Sequence, residues 1–450
     1  MDFSETYASV GMLTTFEYLI SLIVRDGRNI DQLDVVTAFR DTDIEDDNIY
    51  VTLLAGCPEG FITPKIIVRL RKALYGLELA PRLWHNQISP FLLPFGFTQS
   101  SADSNLYLCS ESILMLLYIN DISILYPKAT AKAAIEDKPK SWEKYKITNL
   151  VLACHFMGIK IYPNALSTGI SLGQKAHITT VFSRFGMEHT HGVPTPMDPN
   201  VKFDLAKHWG EKELKDTTDY QAVVGSLIYT ALATWADNSY VVASLSHYIL
   251  LPFISPMTTA KRVLQYLEST ADCRLRFTCN TNGIGIGIGI NINNSFIGYL
   301  DFVWANECAD RKSQGGYVFL ASNWAVSWQS RKEGLIAMGT LEAKSIACSE
   351  ASSEGTWLLQ LEKDIDGSQS DSPPPPINCD NQGALTPRTT GIIKARTKDI
   401  DVLDRNSQDL HKCRIVNYSH VCTNENVADI LIKAVRNVKH TKFTKGKGLW

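Results

Sequence analysis

The chain has 450 residues, which exceeds one ordinary domain of about 100–200 residues and predicts two or three domains. Hydrophobic residues make up 45% and charged residues 20%, so the composition excludes disordered, collagenous and fibrous proteins. Lys and Arg number 44 against 47 Asp and Glu, and a net charge of −3 means that any nucleic-acid-binding surface must be local.

The remaining composition indicates an intracellular environment. Ten cysteines without a Cys-x-x-Cys pair are typical of a reducing compartment. No apolar run reaches the roughly 18–20 residues of a membrane span, and the first residues lack the pattern of a signal peptide. We therefore expect a cytoplasmic or nuclear protein with no membrane partner.

The first part of the chain mixes helical and strand patterns. Apolar spacing predicts a helix over 12–24, and the segment QLDVVTAF predicts a strand over 32–39. Residues 113–126 predict two buried strands joined by a tight turn at 119–121, since Asn and Asp tolerate turn geometry. A further strand is predicted over 152–162, and helices are predicted over 175–187, 220–251 and 258–270.

The second part contains two low-complexity segments. GIGIGIGININ at 283–293 is a two-residue repeat whose glycines do not open a helix, which disfavours a phosphate-binding loop. PPPP at 373–376 indicates an exposed linker, with short strands predicted after it over 377–381 and 418–422. The segment 433–450 carries six basic residues and no acid, which makes it a candidate for phosphate contacts.

Two groups of acids have the pattern required for metal-dependent phosphoryl transfer. This chemistry needs carboxylates from separate strands that converge on ions about 3.5–4 Å apart. Asp34 and Asp121 form the first group, and Asp301, Asp380 and Asp429 form the second; all lie in apolar sequence. A single acid of this kind is more often a capping or paired residue than a metal ligand, so the pattern alone leaves both interpretations open.

A series of collinear motifs carries a family resemblance over nearly the whole chain. The motifs are QLDVVTAF (32–39), PEGF (58–61), KALYGLELAPRLW (72–84), GFTQSSADSNLY (96–107), LLYIND (116–121), QKAHITTVFSRFGM (174–187), PTPMDPNVK (194–202), YQAVVGSLIYTALAT (220–234), AKRVLQYLEST (260–270), GYLDFVWA (298–305), DRKSQGGYVF (310–319), AVSWQSRKE (325–333), CDNQGA (379–384) and NVADILIKA (426–434). With these motifs the chain resembles the reverse transcriptase and ribonuclease H portion of a copia-type retrotransposon polyprotein.

The resemblance implies a polymerase site with one altered residue. Asp34 matches the palm aspartate that binds both catalytic metals, and Asp121 matches the second aspartate of a Tyr-Val-Asp-Asp turn. Asn120 stands where the first aspartate of that turn is expected, so the site loses one of three negative charges. We expect Mg²⁺ or Mn²⁺ to bind weakly and catalysis to be poor.

The resemblance also implies contacts with template and nucleotide. The residues that match the family are Lys72, Tyr75, Gly76, Arg82, Trp84 and Gln174. Glu78 and Leu79 replace the usual Lys and Gln, which makes this edge acidic and apolar, although a packed helix start would leave Glu78 without effect.

The ribonuclease H portion is altered in a similar way. Asp301, Asp380 and Asp429 match three of its four carboxylates, and Lys344 replaces the fourth. Glu342 is two positions earlier, about 200° away around a helix, so it cannot substitute. We expect Lys344 to pair with one of the three aspartates, because opposite charges 4 Å apart gain about 4 kcal/mol at an effective dielectric near 20.

The implied fold is multi-domain, of α+β and α/β class. By resemblance, a palm-type reverse transcriptase domain with a finger remnant is expected over 1–165, a helical thumb or connection over 166–280, a ribonuclease H-like domain over 281–440 and a basic tail over 441–450. The family carries finger strands before the first motif, so we expect a truncated chain. His411, Cys413, His420 and Cys422 form two His-x-Cys pairs, which are more typical of core and surface residues than of a zinc site.

Three functions remain open at this stage. The first is a truncated reverse transcriptase and ribonuclease H that acts on an RNA template, a DNA primer and their hybrid, with activity largely lost. The second is an inactive module that binds RNA–DNA hybrid, and the third is a translated pseudogene with little stable fold. Salt-dependent binding distinguishes the second from the third, and cooperative unfolding excludes the third.

Overall fold

The computed structural model describes residues 7–44, 49–52, 67–109, 112–129, 145–150, 153–163, 169–188, 190–201, 213–278, 296–304, 312–333, 340–367, 374–382, 409–413 and 415–446, without the side chains of 149, 340–342, 344, 445 and 446. The chain is a mixed α/β protein that divides into two units. The first unit is drawn from 1–16 and 26–156, and the second from 17–25 and 157–450. The repeat at 283–293 lies outside the described residues.

The first unit is built on an antiparallel sheet of six strands. Its order is β4-β5-β6-β7-β1-β8. The strands are β1 (Arg28–Val35), β4 (Phe97–Gln99), β5 (Leu106–Cys109), β6 (Ile113–Tyr118), β7 (Asp121–Pro127) and β8 (Ile147–Asn149). Strands β2 (Tyr50–Thr52) and β3 (Ile67–Arg69) pair separately, and β9 spans His155–Phe156.

Among the described residues, two helices belong wholly or partly to the first unit. Helix α1 (Leu13–Asp26) confirms the predicted helix, and its residues 17–25 belong to the second unit. Helix α2 (Ala80–Leu92) has a proline in its first turn and is followed by a 3-10 turn, Leu93–Phe95. Its buried residues recur every four positions, at Ala80, Trp84, Ile88 and Leu92, so one face of α2 packs into the apolar core. Each large side chain buried there contributes about 1.5–3 kcal/mol.

Two predicted strands of this region are wrong in their extent. The strand predicted over 32–39 begins at Arg28 and ends at Val35. It ends there because Thr37 has φ 63°, outside the β region, and its hydroxyl donates to Asp41 at 2.9 Å in a turn. The strand predicted over 152–162 is two strands, because positive φ at Met157 and Gly158 turns the chain between them.

In the part of the second unit that the structure describes, three further strands and four helices precede its larger sheet. Strands β10 (Ile159–Pro163), β11 (Gly169–Gly173) and β12 (Leu275–Thr278) pair antiparallel in that order. The helices are α3 (Lys175–Phe185), α4 (Thr218–Ala233), α5 (Ser239–Ser246) and α6 (Ile254–Thr270). They share one apolar core, with Val224, Leu245 and Leu264 fully buried.

The helix predicted over 220–251 is broken. Helix α4 ends at Ala233, and the 3-10 turn Ala236–Asn238 precedes α5. Leaving the helix lets Thr234 donate to Gln174 at 2.7 Å, and it places Asp237 where the Tyr266 hydroxyl donates to it at 2.6 Å. Buried polar groups need such partners, which a continuous helix would not supply here.

The larger sheet of the second unit has five strands in the order β15-β14-β13-β16-β17. The strands are β13 (Phe296–Val303), β14 (Gln314–Ala321), β15 (Trp324–Lys332), β16 (Pro376–Cys379) and β17 (Asn417–His420). The first three pair antiparallel, whereas β13–β16 and β16–β17 are parallel. Helix α7 (Thr340–Asp366) packs on β13 and β14, and a 3-10 turn, Val427–Leu431, precedes α8 (Asn437–Gly446).

No helix within the described residues is long and apolar enough to cross a membrane.

One acid in α1 is buried without compensation. The side chain of Glu17 is 2% exposed, and its Oε1 atom has no hydrogen-bond partner among the described residues. Burial raises the pKa of Glu17 well above its ordinary value, so the folded chain favours the protonated acid. This contribution to stability is complete below the unfolded-state pKa and is lost as the pH rises towards the folded-state pKa.

We therefore expect Glu17→Gln to raise the free energy of unfolding at pH 8 by about 1–3 kcal/mol, the usual cost of an unsatisfied buried polar group. The gain shrinks at pH 5. Urea unfolding at both pH values measures it, with the exposed Glu188→Gln as the control. An equal gain at both pH values would contradict the charge-based explanation.

Candidate active site

The first acidic group meets at the edge where β1 and β7 pair. Asp34 lies directly opposite Asp121 in the antiparallel register, so the two carboxylates share one end of the strand pair. Asn120 precedes Asp121 in the turn, and its Nδ2 atom donates to Oδ1 of Asp34 at 2.6 Å. The Val35 amide donates to the Asn120 carbonyl at 2.9 Å. The structure thus brings together the three residues that the sequence assigned to this site.

The turn that carries Asn120 is strained and supported from a helix. Ile119 has φ 58°, an uncommon conformation for a β-branched residue, as the first central residue of the two-residue turn between β6 and β7. Its carbonyl accepts a hydrogen bond from Nε1 of Trp84 at 2.7 Å. Trp84 is 2% exposed and also makes an edge-to-face contact with Tyr145. Trp84 is thus buried and positions the turn, and its expected contact with nucleic acid stays a prediction.

The electrostatics of the pair favour a cation. Burial first, and the charge of Asp34 second, raise the pKa of Asp121, whereas a hydrogen bond from Gln32 lowers it. No Lys or Arg forms an ion pair with Asp34 or Asp121 in the described part of the chain. Adjacent carboxylates repel each other, and a divalent ion with oxygen ligands would relieve that repulsion. The two carboxylates therefore fit Mg²⁺ or Mn²⁺, although the amide of Asn120 occupies one Asp34 oxygen.

The segment before α2 supplies mostly exposed side chains. Lys72, Tyr75 and Glu78 are exposed, and the Tyr75 ring contacts Phe39 with 4.8 Å between ring centroids. Gly76 has φ 97°, which a side chain would disfavour. These positions are accessible to a ligand, as the resemblance implies.

Leu79 and Arg82 of this motif, and Gln174, are less exposed than Lys72, Tyr75 and Glu78. Arg82 is half-buried on α2, and Leu79 is fully buried in the core, so the apolar replacement at 79 is a packing residue. Gln174, in the second unit, is 2% exposed and accepts the hydroxyl of Thr234. Gln174 therefore has a structural hydrogen bond in the interior, and its expected contact with nucleic acid stays a prediction.

The second acidic group lies on the five-stranded sheet. Leu300 pairs with Cys379 across the parallel strands β13 and β16, which places Asp301 and Asp380 beside each other one residue further on. Asp429 is fully buried in the 3-10 turn. Asn426 fixes this turn, because its Nδ2 atom donates to the Leu300 carbonyl at 3.0 Å and its Oδ1 atom accepts from the Ala428 amide at 3.2 Å.

Close packing brings the 3-10 turn onto β14. Gly316 is opposite Asp301 in the register, and a Cβ atom there would lie 2.8 Å from Cβ of Leu431. Sequence reasoning missed both Asn426 and Gly316. For Asn426 the available signal was an Asn at the start of NVADILIKA, two residues before Ala428. No local pattern indicated that Gly316 would lie against the 3-10 turn.

Two lysines neutralise Asp429. Lys433 contacts Oδ1 of Asp429, and Nζ of Lys439 lies 2.7 Å from Oδ2. Burial acts to raise the pKa of Asp429, but the hydrogen bonds from Lys433 and Lys439 outweigh it, so the pKa is lowered. Burial, then the charge of Asp380 and the hydrogen bond to Asp429, raise the pKa of Asp301 to about 8.

This arrangement does not fit a metal ion. In the described ranges, no set of three or more His, Cys, Asp or Glu side chains is arranged as a metal site, either here or around Asp34 and Asp121. The two ammonium groups already supply the positive charge next to Asp429. From the sequence alone, Lys433 and Lys439 were expected only as part of the basic segment 433–450, a candidate for phosphate contacts. The side chain of Lys344, which was expected to pair with an aspartate, lies outside the described residues.

The site and the sheet that carries it define a class of protein. Residues 1–199 match the family model described as reverse transcriptase (RNA-dependent DNA polymerase). The chain thus carries a reverse transcriptase domain, and it is similar to the Pol polyproteins of copia-type retrotransposons.

Similarity to members of this family extends over the whole chain. The chain is 31% identical to the retrovirus-related Pol polyprotein from transposon RE2 of Arabidopsis thaliana and 30% identical to that from transposon RE1, each over 100% of its length. It is 30% identical to the Pol polyprotein from transposon TNT 1-94 of Nicotiana tabacum over 97% of its length. The chain spans only 29%, 30% and 32% of the RE1, RE2 and TNT 1-94 proteins, respectively.

Proposed function

We propose that this chain is an RNA-directed DNA polymerase that extends a DNA primer on an RNA template. The observation that carries the proposal is the register of β1 and β7, which sets Asp34 opposite Asp121 with no basic side chain paired to either among the described residues. Asp34 and Asp121 would hold Mg²⁺ or Mn²⁺. Such an ion, when bound, stabilises the charge that develops on the reacting phosphate oxygens.

The protein's own residues position this site. Trp84 fixes the turn through the Ile119 carbonyl, and the Val35 amide holds the Asn120 carbonyl, so the carboxylate of Asp121 has one defined location. The exposed Lys72 and Tyr75 would contact the template and the incoming nucleotide. By resemblance, the first unit is a palm with a finger remnant, and helices α3–α6 form a thumb or connection.

We further propose that polymerase activity is weak. Asn120 contributes a neutral amide where a third carboxylate is expected, and its Nδ2 atom binds an Asp34 oxygen that a metal ion would otherwise use. Both effects reduce metal affinity, because Mg²⁺ prefers charged oxygen ligands.

The five-stranded sheet with Asp301, Asp380 and Asp429 is proposed to be a ribonuclease H-like domain that has lost most hybrid cleavage. Its support is the adjacency of Asp301 and Asp380 together with the ion pairs that occupy Asp429. The alternative, a chain that binds RNA–DNA hybrid without catalysis, is favoured by the same ion pairs. A primer-extension reaction distinguishes a catalytic chain from one that only binds hybrid.

The test is extension of a labelled DNA primer on an end-labelled RNA template in Mg²⁺. We expect slow extension by the parent chain and loss of about 10²-fold or more in Asp34→Asn, the order of effect of removing one electrostatic stabiliser. Asp26→Asn, a change at a carboxylate paired with Arg28 away from the site, is the matched control. Hybrid binding without extension in any variant would favour the non-catalytic alternative.

A further inference from the structure

The outer face of β10, β11 and β12 carries a basic trough that the polymerase site does not use. The register places Tyr162 opposite Ser171 and Ser171 opposite Arg276, so these side chains share one face of the sheet. Lys160 and Arg274 lie on the same face, because each is two residues from a member of that row. The opposite face is apolar and buried, with Leu172 and Phe277 in its interior.

Small residues on the central strand make this face concave. Gly169, Ser171 and Gly173 occupy the trough-side positions of β11. The cavity above them has a volume of about 490 Å³ and is lined by Tyr162, Arg274 and Arg276 among others. This volume is within the roughly 300–1,000 Å³ of small-ligand sites, which is enough for one nucleotide of a polynucleotide chain.

One arginine of the trough is fixed in place. The guanidinium carbon of Arg274 lies 3.7 Å from the centroid of the Tyr162 ring, and Nζ of Lys160 lies 5.1 Å from it. Gly173 permits this contact, because a Cβ atom there would approach Tyr162 at 3.3 Å and Arg274 at 3.4 Å. The guanidinium thus lies over the face of the ring, a cation–π contact that holds Arg274 in the trough.

The charge of the trough is uncompensated. Neither arginine, nor Lys160, forms an ion pair with a carboxylate in the part of the chain that the structure describes. Among the described residues that line the cavity, the one acid is Asp272, and it is already paired with Lys175, whose Nζ atom lies 2.7 Å from its Oδ1 atom. The trough therefore presents three positive charges around an aromatic ring on a protein whose net charge is −3.

We propose that this trough binds single-stranded nucleic acid, with phosphates on Arg274 and Arg276 and one nucleotide seated in the cavity. A concave site with cations and an aromatic ring suits a strand whose bases are unstacked, whereas a duplex presents a convex surface with its bases inside. The site differs from the polymerase site and needs no divalent ion. It rests on the proposed function only in that a polymerase working on RNA must hold an uncopied strand.

The test measures binding of labelled oligo(rU) and oligo(dT) to the full chain in EDTA over a range of salt concentrations. Each phosphate contact with a single strand contributes a slope of about −0.7 to log affinity against log salt concentration. We expect Arg274→Gln/Arg276→Gln to bind more weakly at low salt and to reduce the magnitude of this slope by about 1.4 for the strand that the trough holds.

The matched control removes two charges elsewhere. Lys215→Gln/Lys261→Gln changes exposed lysines of the same unit and should leave the slope unchanged. Tyr162→Phe keeps the ring and should retain affinity, whereas Tyr162→Leu should lose it while unfolding at the same temperature. A change restricted to oligo(rU) would identify template RNA, and one restricted to oligo(dT) would identify the DNA strand.

Two results would overturn the proposal. One is an equal salt slope in the arginine and the lysine double variants. The other is an equal loss of binding to duplex and to single strands. Because EDTA removes divalent ions, an inactive polymerase site does not affect either measurement, and failure of the trough leaves the primer-extension test unchanged.

Discussion

Asn120→Asp is expected to increase the rate of primer extension on an RNA template by about 10²-fold at moderate Mg²⁺ concentration. The substitution restores a third negative charge beside Asp34 and Asp121. It also removes the donor that now binds Oδ1 of Asp34 at 2.6 Å, so that oxygen becomes available to an ion. Because the variant binds metal more tightly, the Mg²⁺ concentration at half-maximal rate should decrease as well.

A second substitution separates the two causes. Asn120→Ala removes the hydrogen bond to Asp34 without adding charge, so it should increase the rate far less than Asn120→Asp. The measurement is primer extension over a Mg²⁺ titration, with Asp34→Asn in the Asn120→Asp background as the inactive control. Equal rates for the parent and Asn120→Asp would show that the missing carboxylate does not limit this site.

Removing both lysines around Asp429 is expected to lower the free energy of unfolding at pH 7 by about 3–5 kcal/mol, the cost of leaving a buried charge without its partners. Asp429 is fully buried, whereas Lys433 and Lys439 reach it from the end of the 3-10 turn and from α8. In Lys433→Met/Lys439→Met the carboxylate loses both counterions while the lysine stems are replaced by apolar side chains.

The pH dependence of this loss follows from the lowered pKa of Asp429. An acid whose folded-state pKa is lowered adds stability above its unfolded-state pKa, and that stability is lost as the pH falls through the folded-state pKa. The difference between parent and double variant should therefore be large at pH 7 and should shrink towards pH 3.

Urea unfolding measures this difference, with Lys261→Met/Lys363→Met as the matched control. Both control lysines are exposed on helices of the same unit, so each substitution should change stability by about 0.5 kcal/mol or less. A double variant as stable as the parent at pH 7 would mean that Asp429 finds another cation or is protonated in the folded chain.

Local patterns in the sequence predicted much of the first unit. The hairpin of β6 and β7 follows from two apolar runs around Asn120, because a two-residue turn and buried strands leave a local composition signature. The helices α1, α3 and α6 follow from apolar periodicity for the same reason. The limits of β1 and the break after α4 did not follow, because side-chain hydrogen bonds at Thr37 and Thr234 determine them.

Local sequence patterns did not predict contacts between segments that are distant along the chain. Trp84 was identified from its motif, but its hydrogen bond to Ile119 depends on how α2 packs on the sheet. The sequence indicated Lys433 and Lys439 only as candidates for phosphate contacts, since nothing local shows that the turn after Asn426 brings Asp429 to them.

The sequence by itself determined the candidate acids, the turn that holds Asn120 and the family that the motifs resemble, because each of these is carried by short runs of consecutive residues. Only the tertiary structure decided which charges are balanced. Asp34 and Asp121 are opposite each other without a paired lysine or arginine in the described chain, Asp429 has two lysines, and Arg274 lies over the ring of Tyr162. Charge compensation depends on the distance between charged groups in space. Strand register and helix packing set that distance, and the order of residues along the chain does not give it.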